Sequence, residues 1–136
     1  MTVQFLNPEG LLQPQPYHHV SVASGTRHVH VAGQIAWDDD GAVVAPGDLA
    51  GQTAQALRNA ARGLAGAGAT FSDVVRLRFF VTDWVPEKID AFLAGVEAVA
   101  TELGIPQPLP PTSLIGVDIL NMPEFLVEVE AYAVLD

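Results

Sequence analysis

Apolar and polar residues alternate in two stretches near the N-terminus, on either side of Ser24-Gly25-Thr26. Such alternation places successive side chains on opposite faces of a strand, and a short connection containing glycine is typical of a β-hairpin. The segment from Tyr17 to Ala36 is therefore predicted to be a hairpin. The side chains expected on its two faces are Val20, Val22, Val29 and Val31 on one and His19, Ser21, His28 and His30 on the other.

Two later stretches carry apolar residues at helical spacing. The first follows Asp48, an N-capping residue type, and stops at Gly66 and Gly68. The second begins near Pro86 and ends at Gly104. Because the apolar stripe of the first helix consists largely of alanine, we expect this helix to lie close against a sheet.

Strand patterns return over residues 73–83, from about residue 112 to 120, and over residues 124–135. The order hairpin, helix, strand, helix, strand, strand favours two crossover connections that place both helices on one face of a sheet. We therefore predict one domain over residues 1–136. Its fold class is α+β, a two-layer sandwich with a mixed six-stranded sheet and two helices on one face.

The sheet face away from the helices is predicted to mix charged and large apolar side chains. A surface of this mixture is typical of a subunit interface, so the sequence predicts an oligomer whose sheets pack face to face. The residues assigned to this face are Arg76, Arg78, Phe80, Leu114, Gly116, Asp118, Leu126, Glu128, Glu130, Tyr132 and Val134.

Composition excludes several classes of protein. The 136 residues include no cysteine, so thiol chemistry is ruled out, and 49% of them are hydrophobic, which favours a well-filled core. A formal charge of −10 disfavours nucleic-acid partners, since phosphates are repelled over most of the surface. The chain shows no run of 18 apolar residues and no secretory signal pattern, so we expect a cytoplasmic protein without a membrane partner.

Metal binding has two candidate segments. The predicted hairpin places His19, His28 and His30 near one another, but no carboxylate stands at a spacing that would complete a ligand set. The acidic segment from Asp38 to Gly41 lacks the remaining ligands of a calcium loop. We therefore interpret the histidines as ordinary strand residues and the acidic segment as a solvated turn.

In combination, VAGQIAWDDDGAVV, QTAQALRNAARGLAGAGATFSDVVRLRFFVTD, PPTSLIGVDIL and LVEVEAYAV resemble the reactive-intermediate deaminase (Rid) family, also labelled endoribonuclease L-PSP-like. The resemblance runs from about Tyr17 to Val134. It implies a chorismate mutase-like α+β fold and a homotrimer whose sheets form a central barrel. It also implies small-molecule clefts between subunits, where the best-known branch hydrolyses imines and enamines without metal or cofactor.

Site residues follow from this resemblance position by position. The family arginine that holds the substrate carboxylate falls on Thr112, which departs from the pattern, while the glutamate that positions water falls on Glu128. Tyr17 matches an aromatic residue that closes over the ligand, and the backbone of Leu114 is expected to contact it. With Ser113, Thr112 is expected at the mouth of the cleft. Gly95 stands where the family often has an asparagine.

Two functions remain open at this point. One is an imine or enamine hydrolase that uses Glu128 as general base on a substrate other than a simple α-imino acid. The other is a non-catalytic metabolite-binding or scaffolding trimer, in which Glu128 and Glu130 only pair with Arg76 or Arg78. Arg27 or Arg78 could also replace the missing arginine. RNA cleavage, which the family label suggests, is disfavoured by the charge of the chain.

Overall fold

The computed structural model describes residues 3–136, which form six β-strands and two α-helices. Two short 3₁₀ turns are also present. Phe71–Asp73 lies immediately before the fourth strand, and Pro86–Lys88 lies immediately before the second helix. In chain order the elements are β1 (Val3–Leu6), β2 (Val20–Ala23), β3 (Arg27–Gln34), α1 (Leu49–Gly66), β4 (Val74–Thr82), α2 (Ile89–Leu103), β5 (Thr112–Val117) and β6 (Val127–Leu135).

The predicted α+β class is confirmed, but the six strands do not form one sheet. Four of them form a mixed sheet in the order β3-β6-β4-β5, in which only β4 and β5 are parallel. The other two, β1 and β2, pair antiparallel with each other. The main sheet is therefore narrower than the sequence pattern predicts, and β5 is one of its edges.

The predicted hairpin between β2 and β3 is wrong, although both strands exist. β2 pairs with β1, which the sequence analysis did not identify as a strand. The hydroxyl of Ser21 donates a hydrogen bond of 2.7 Å to the carbonyl of Val75, so β2 is tied to the start of β4. A Cβ on Gly25 would overlap the end of β6, which shows how closely the connection packs there.

Both helices cover one face of the four-stranded sheet, as predicted. Asp48 caps α1 by accepting a hydrogen bond from the backbone N–H of Gly51 at 3.0 Å, and Gly104 ends α2 with a left-handed φ of 67°. The ring of Phe92 on α2 packs edge-to-face against Phe79 on β4 at 4.8 Å. Neither helix, nor any other in residues 3–136, is long and apolar enough to cross a membrane.

The alternation in β4 and β6 divides the sheet into a core face and an open face. From Leu77 to Val81 and from Val127 to Ala133, every second residue faces the helices and is at most 3% exposed, while the residues between them are exposed or half-buried. The core-facing residues are Leu77, Phe79, Val81, Val127, Val129, Ala131 and Ala133. The predicted assignment of Arg76, Arg78, Phe80, Glu128, Glu130 and Tyr132 to the open face is therefore correct.

In β5 the predicted faces are wrong by one residue. Ser113 is in register with Arg78 and Ile115 with Phe80, so these two residues share the open face. Leu114 is in register with core-facing Phe79 and packs against the core. Because side chains alternate strictly along a strand, a slip of one residue exchanges the two faces.

Gly95 lies at the closest approach of the two helices. A Cβ at this position would overlap the carbonyl oxygen of Ala50 and would lie 2.7 Å from the Cβ of Thr53 on α1. Gly95 is also buried. In this chain the position therefore serves helix packing.

We expect Gly95→Ala to lower the free energy of unfolding by about 1–3 kcal/mol, because the added methyl group forces the helices apart. Gly66→Ala is the control, since nothing lies within 4 Å of a Cβ there. It should leave stability unchanged or raise it by up to about 1 kcal/mol. Urea unfolding measures both variants, and a Gly95→Ala protein as stable as the native one would contradict the packing argument.

Candidate functional site

The open face of the sheet carries rows of side chains set by strand register. Rows run across the strands because residues in register lie side by side on the same face. The three rows are His30, Tyr132 and Arg76; Glu130, Arg78 and Ser113; and Glu128, Phe80 and Ile115.

Glu128 is the carboxylate on this face whose protonation is perturbed. Burial, and secondarily the neighbouring charge of Glu130, raise the pKa of Glu128 above its usual value. A Cβ on Gly33 would lie 2.5 Å from this carboxylate, so the glycine leaves the space that the side chain occupies. Within residues 3–136, no Lys or Arg lies at salt-bridge distance from Glu128.

The two arginines of the open face have other partners. Arg78 Nη2 lies 2.7 Å from Glu130 Oε1, and its guanidinium lies 5.9 Å from the centre of the Phe80 ring. Arg76 donates a hydrogen bond of 2.8 Å from Nη2 to the hydroxyl of Ser113. The predicted pairing of Glu130 with an arginine is thus observed, whereas Glu128 has no cationic partner within residues 3–136.

Thr112 begins β5 and does not present its hydroxyl hydrogen outward. The hydroxyl donates a hydrogen bond of 2.7 Å to the carbonyl of Pro110, and the residue is in register with core-facing Leu77. A threonine hydroxyl has a single hydrogen, so Thr112 retains only acceptor capacity toward a ligand. It therefore cannot replace a guanidinium that donates two parallel hydrogen bonds to a carboxylate.

The free edge of β5 exposes backbone groups beside Thr112. The carbonyl of Pro111 accepts from the N–H of Leu77 on β4. Since backbone groups alternate in direction along a strand, those of Ser113 point to β4 and those of Leu114 point to the free edge. The backbone of Leu114 is thus placed where a ligand could reach it, although its side chain packs into the core.

Tyr17 lies close to the same edge. The chain around it pairs with Leu109 through two hydrogen bonds, from His18 N–H to the Leu109 carbonyl at 2.7 Å and from Leu109 N–H to the Pro16 carbonyl at 2.8 Å. Leu109 is three residues before Thr112 in the sequence. Tyr17 is half-buried, with its ring edge-on to His19 at 5.3 Å.

The predicted site residues consequently fall into two groups. Tyr17, Thr112 and the backbone of Leu114 lie at the β5 edge, whereas Glu128 lies on β6, two strands away. Two strand spacings amount to about 10 Å, and the side chains of Thr112 and Glu128 also point to opposite faces. One chain does not bring these two residues together.

Arg27 and Arg78 were suggested as replacements for the missing carboxylate-binding arginine. Neither of them lies at the β5 edge with a free guanidinium. Arg27 is on β3, at the opposite edge of the sheet, and its Nε donates to the backbone carbonyl of Asp136 at 2.7 Å. Arg78 reaches Ser113 by register, but Glu130 already holds it.

The histidines have a partner that the sequence analysis missed. His30 stacks on Tyr132 with ring centres 4.4 Å apart, and Nδ1 of His28 is hydrogen-bonded to the Tyr132 hydroxyl. The pairing of β3 with β6 creates this cluster, so identifying β6 as the partner of β3 would have revealed it. Among the described residues, the one group with metal-ligand proximity is the exposed set Asp38, Asp39 and Asp40.

A mixed sheet covered by two helices on one face, with titratable side chains on the other, defines a small two-layer α+β protein. The family model for Endoribonuclease L-PSP matches residues 11–135, and the chain therefore belongs to this family, the Rid family.

Solved structures agree with this assignment. The Rid-family protein YyfB from Yersinia pestis is 37% identical, covering 99% of this chain and 100% of its own, with a TM-score of 0.87. YjgF from E. coli is 29% identical over 82% of this chain and 84% of its own, with a TM-score of 0.68. A family member from Mycobacterium tuberculosis is 31% identical over 98% and 100%, with a TM-score of 0.59.

The raised pKa of Glu128 predicts a pH-dependent effect of Glu128→Gln on stability. In the native protein, the folded state binds the proton more tightly than the unfolded state, so the contribution of Glu128 to stability is present below its unfolded pKa and lost as pH rises through its folded pKa. Glutamine removes the charge at every pH. The variant should therefore gain stability over the native protein at about pH 7, and the gain should shrink towards about pH 4.

Urea unfolding at the two pH values measures this difference. Glu97→Gln, on the exposed surface of α2, serves as the control for the loss of one negative charge. A Glu128→Gln gain that is equal at both pH values, or equal to that of Glu97→Gln, would contradict the perturbed protonation of Glu128.

Proposed function

We propose that this chain is a Rid-family enzyme that hydrolyses an imine or enamine, with Glu128 as the general base. The observation that carries the proposal is the environment of Glu128, a half-buried carboxylate with a raised pKa and no cationic partner in residues 3–136. A carboxylate of this kind is suited to exchange protons nearer neutrality than an exposed one.

The reaction needs only water and one proton acceptor. Glu128 removes a proton from water while the oxygen attacks the carbon of the C=N bond, whose electron pair moves to nitrogen. The carboxylic acid then gives that proton to nitrogen, which forms a carbinolamine. Glu128 next accepts the proton of the carbinolamine hydroxyl and passes it to nitrogen as the C–N bond breaks, so that ammonia and a carbonyl compound leave. An enamine enters this sequence once protonation at carbon has converted it to the imine.

Thr112 defines the substrate class within this proposal. It has no charge, and its hydroxyl hydrogen is held by Pro110, so this position favours a substrate with a neutral hydrogen-bond donor there. Losing a charge-assisted contact of about 2–4 kcal/mol would reduce the rate on a simple α-imino acid by roughly 30- to 1000-fold. The preferred substrate is accordingly not a simple α-imino acid.

The separation of Glu128 from the β5 edge supports a site shared between chains, and we propose a homotrimer. The open face would otherwise leave Ile115, with a side chain 40% exposed, beside half-buried Phe80 in water. Packing one open face against the β5 edge of another chain would cover these residues and bring a second set of site groups near Glu128.

Light scattering coupled to size exclusion should give a mass three times the 14.4 kDa of one chain. Ile115→Glu should dissociate this assembly, because it places a charge in the covered face. Ile89→Glu is a matched control, since Ile89 is 38% exposed but lies at the start of α2 on the helix layer. A monomeric native protein, or equal behaviour of the two variants, would refute the shared site.

For activity, we expect the native protein to hydrolyse 2-iminobutyrate slowly and Thr112→Arg to do so at least about 10-fold faster, because one bidentate contact is worth about 1.4 kcal/mol or more. Thr112→Gln is the control of similar length without charge. Adding Glu128→Gln to Thr112→Arg should abolish the gain. An amino-acid oxidase generates the imine, and a trapping reagent follows its decay.

A second candidate function is a metabolite-binding trimer without turnover. The observation that favours it is the internal hydrogen bond of Thr112, which leaves this side chain with neither a charge nor a free donor for a ligand. If Thr112→Arg assembles normally and binds 2-iminobutyrate or its ketone without hydrolysis, this function replaces the enzymatic one.

A further inference from the structure

The open face contains a cavity of about 470 Å³ that is separate from both the β5 edge and Glu128. Its walls come from the central part of the sheet, where β3, β6 and β4 lie side by side. The side chains that line it and carry charge or hydrogen-bonding groups are His30, Arg76, Arg78, Glu130 and Tyr132. Its volume lies within the range of small-molecule sites, about 300–1,000 Å³.

The charge inside this cavity is opposite to that of the chain. The whole sequence has 16 carboxylates and six Lys and Arg residues, for a formal charge of −10. Two of those six cations line the cavity against one carboxylate, Glu130, which leaves one net positive charge. An anion is therefore attracted here, although most of the surface repels it.

The donors that face the cavity are not all used within the protein. A guanidinium has five N–H groups. In the described part of the chain, Arg76 uses only Nη2 in a hydrogen bond, which it donates to the Ser113 hydroxyl. In a single chain Arg76 is exposed, and it forms no salt bridge within residues 3–136. Arg76 is consequently able to make a bidentate contact with an incoming carboxylate or phosphate.

The opposite wall is fixed in place before any ligand arrives. The Tyr132 ring stacks on His30 and, at 5.8 Å, on His28, while its hydroxyl is hydrogen-bonded to His28. Contacts on both ring and hydroxyl restrict the rotation of Tyr132. A rigid wall next to a cationic group reduces the ordering cost of binding.

We propose that this cavity binds a small organic anion bearing a carboxylate or phosphate group, held mainly by Arg76 with His30 and Tyr132 as the facing wall. Arg78 contributes less to binding in the native protein, because it forms a salt bridge with Glu130 at 2.7 Å. Glu130 thus acts as an internal competitor of the ligand. The site does not depend on the hydrolytic function proposed for Glu128.

The test is calorimetric titration of the full native protein with inorganic phosphate and, separately, with succinate. One saturable anion per chain is expected for at least one of the two probes, and their relative affinities show whether phosphate or carboxylate is the preferred group. Arg76→Gln should weaken that binding by at least about 10-fold, the loss of one bidentate contact. Glu130→Gln should strengthen it severalfold, because it releases Arg78 for the anion.

Arg58→Gln is the matched control. Arg58 is on α1, where it pairs with Glu102 on α2 at 3.3 Å, and its loss removes the same charge from the helix layer. Binding unchanged by Arg58→Gln but weakened by Arg76→Gln supports the cavity. Absence of saturable binding of either probe up to about 10 mM, equal losses in both arginine variants, or weaker binding in Glu130→Gln would each overturn it.

Discussion

The strand β6 in the middle of the sheet is the constraint on which the other features depend. It pairs antiparallel with β3 on one side and with β4 on the other, so its register fixes which residues of three strands share a face. Its alternation of Val, Glu, Val, Glu, Ala, Tyr and Ala cannot shift by one residue without burying two carboxylates under the helices, a change that costs several kcal/mol per charge.

This constraint explains which parts of the structure the sequence could predict. In β4 and β6 the apolar residues alternate cleanly with polar ones, so the core face and the open face were both predicted correctly. β5 reads Thr-Ser-Leu-Ile-Gly-Val, in which adjacent residues have similar polarity, and its alternation does not distinguish the faces. As a parallel edge strand it takes its register from β4 alone, which the sequence pattern does not encode.

The wrong hairpin and the missed histidine cluster have one common cause, the choice of strand partners. Local alternation around Gly25 favours pairing β2 with β3, because hairpins are the shortest connection between strands. The structure instead pairs β2 with β1, whereas β3 pairs with β6 through distant contacts such as that of His28 with Tyr132, which are 104 residues apart in sequence. The interpretation of the histidines as ordinary strand residues was based on faces alone and could not include a tyrosine from β6.

The chemistry of the chain is divided by the sheet itself. At the β5 edge, Thr112 directs its hydroxyl hydrogen inward to Pro110, which leaves backbone groups and an acceptor oxygen for a ligand. On the open face, Arg76 and Arg78 supply the positive charge that Thr112 lacks at the edge, but Arg78 already forms a salt bridge with Glu130, two residues from Glu128.

Glu128 and the two arginines are neighbours on the open face, but they differ in the chemistry they can perform. A carboxylate without a cation can exchange protons, whereas a guanidinium remains charged and binds anions. Because the two groups lie in separate rows of one sheet, the proposed proton-transfer site and the proposed anion site can coexist without either neutralising the other.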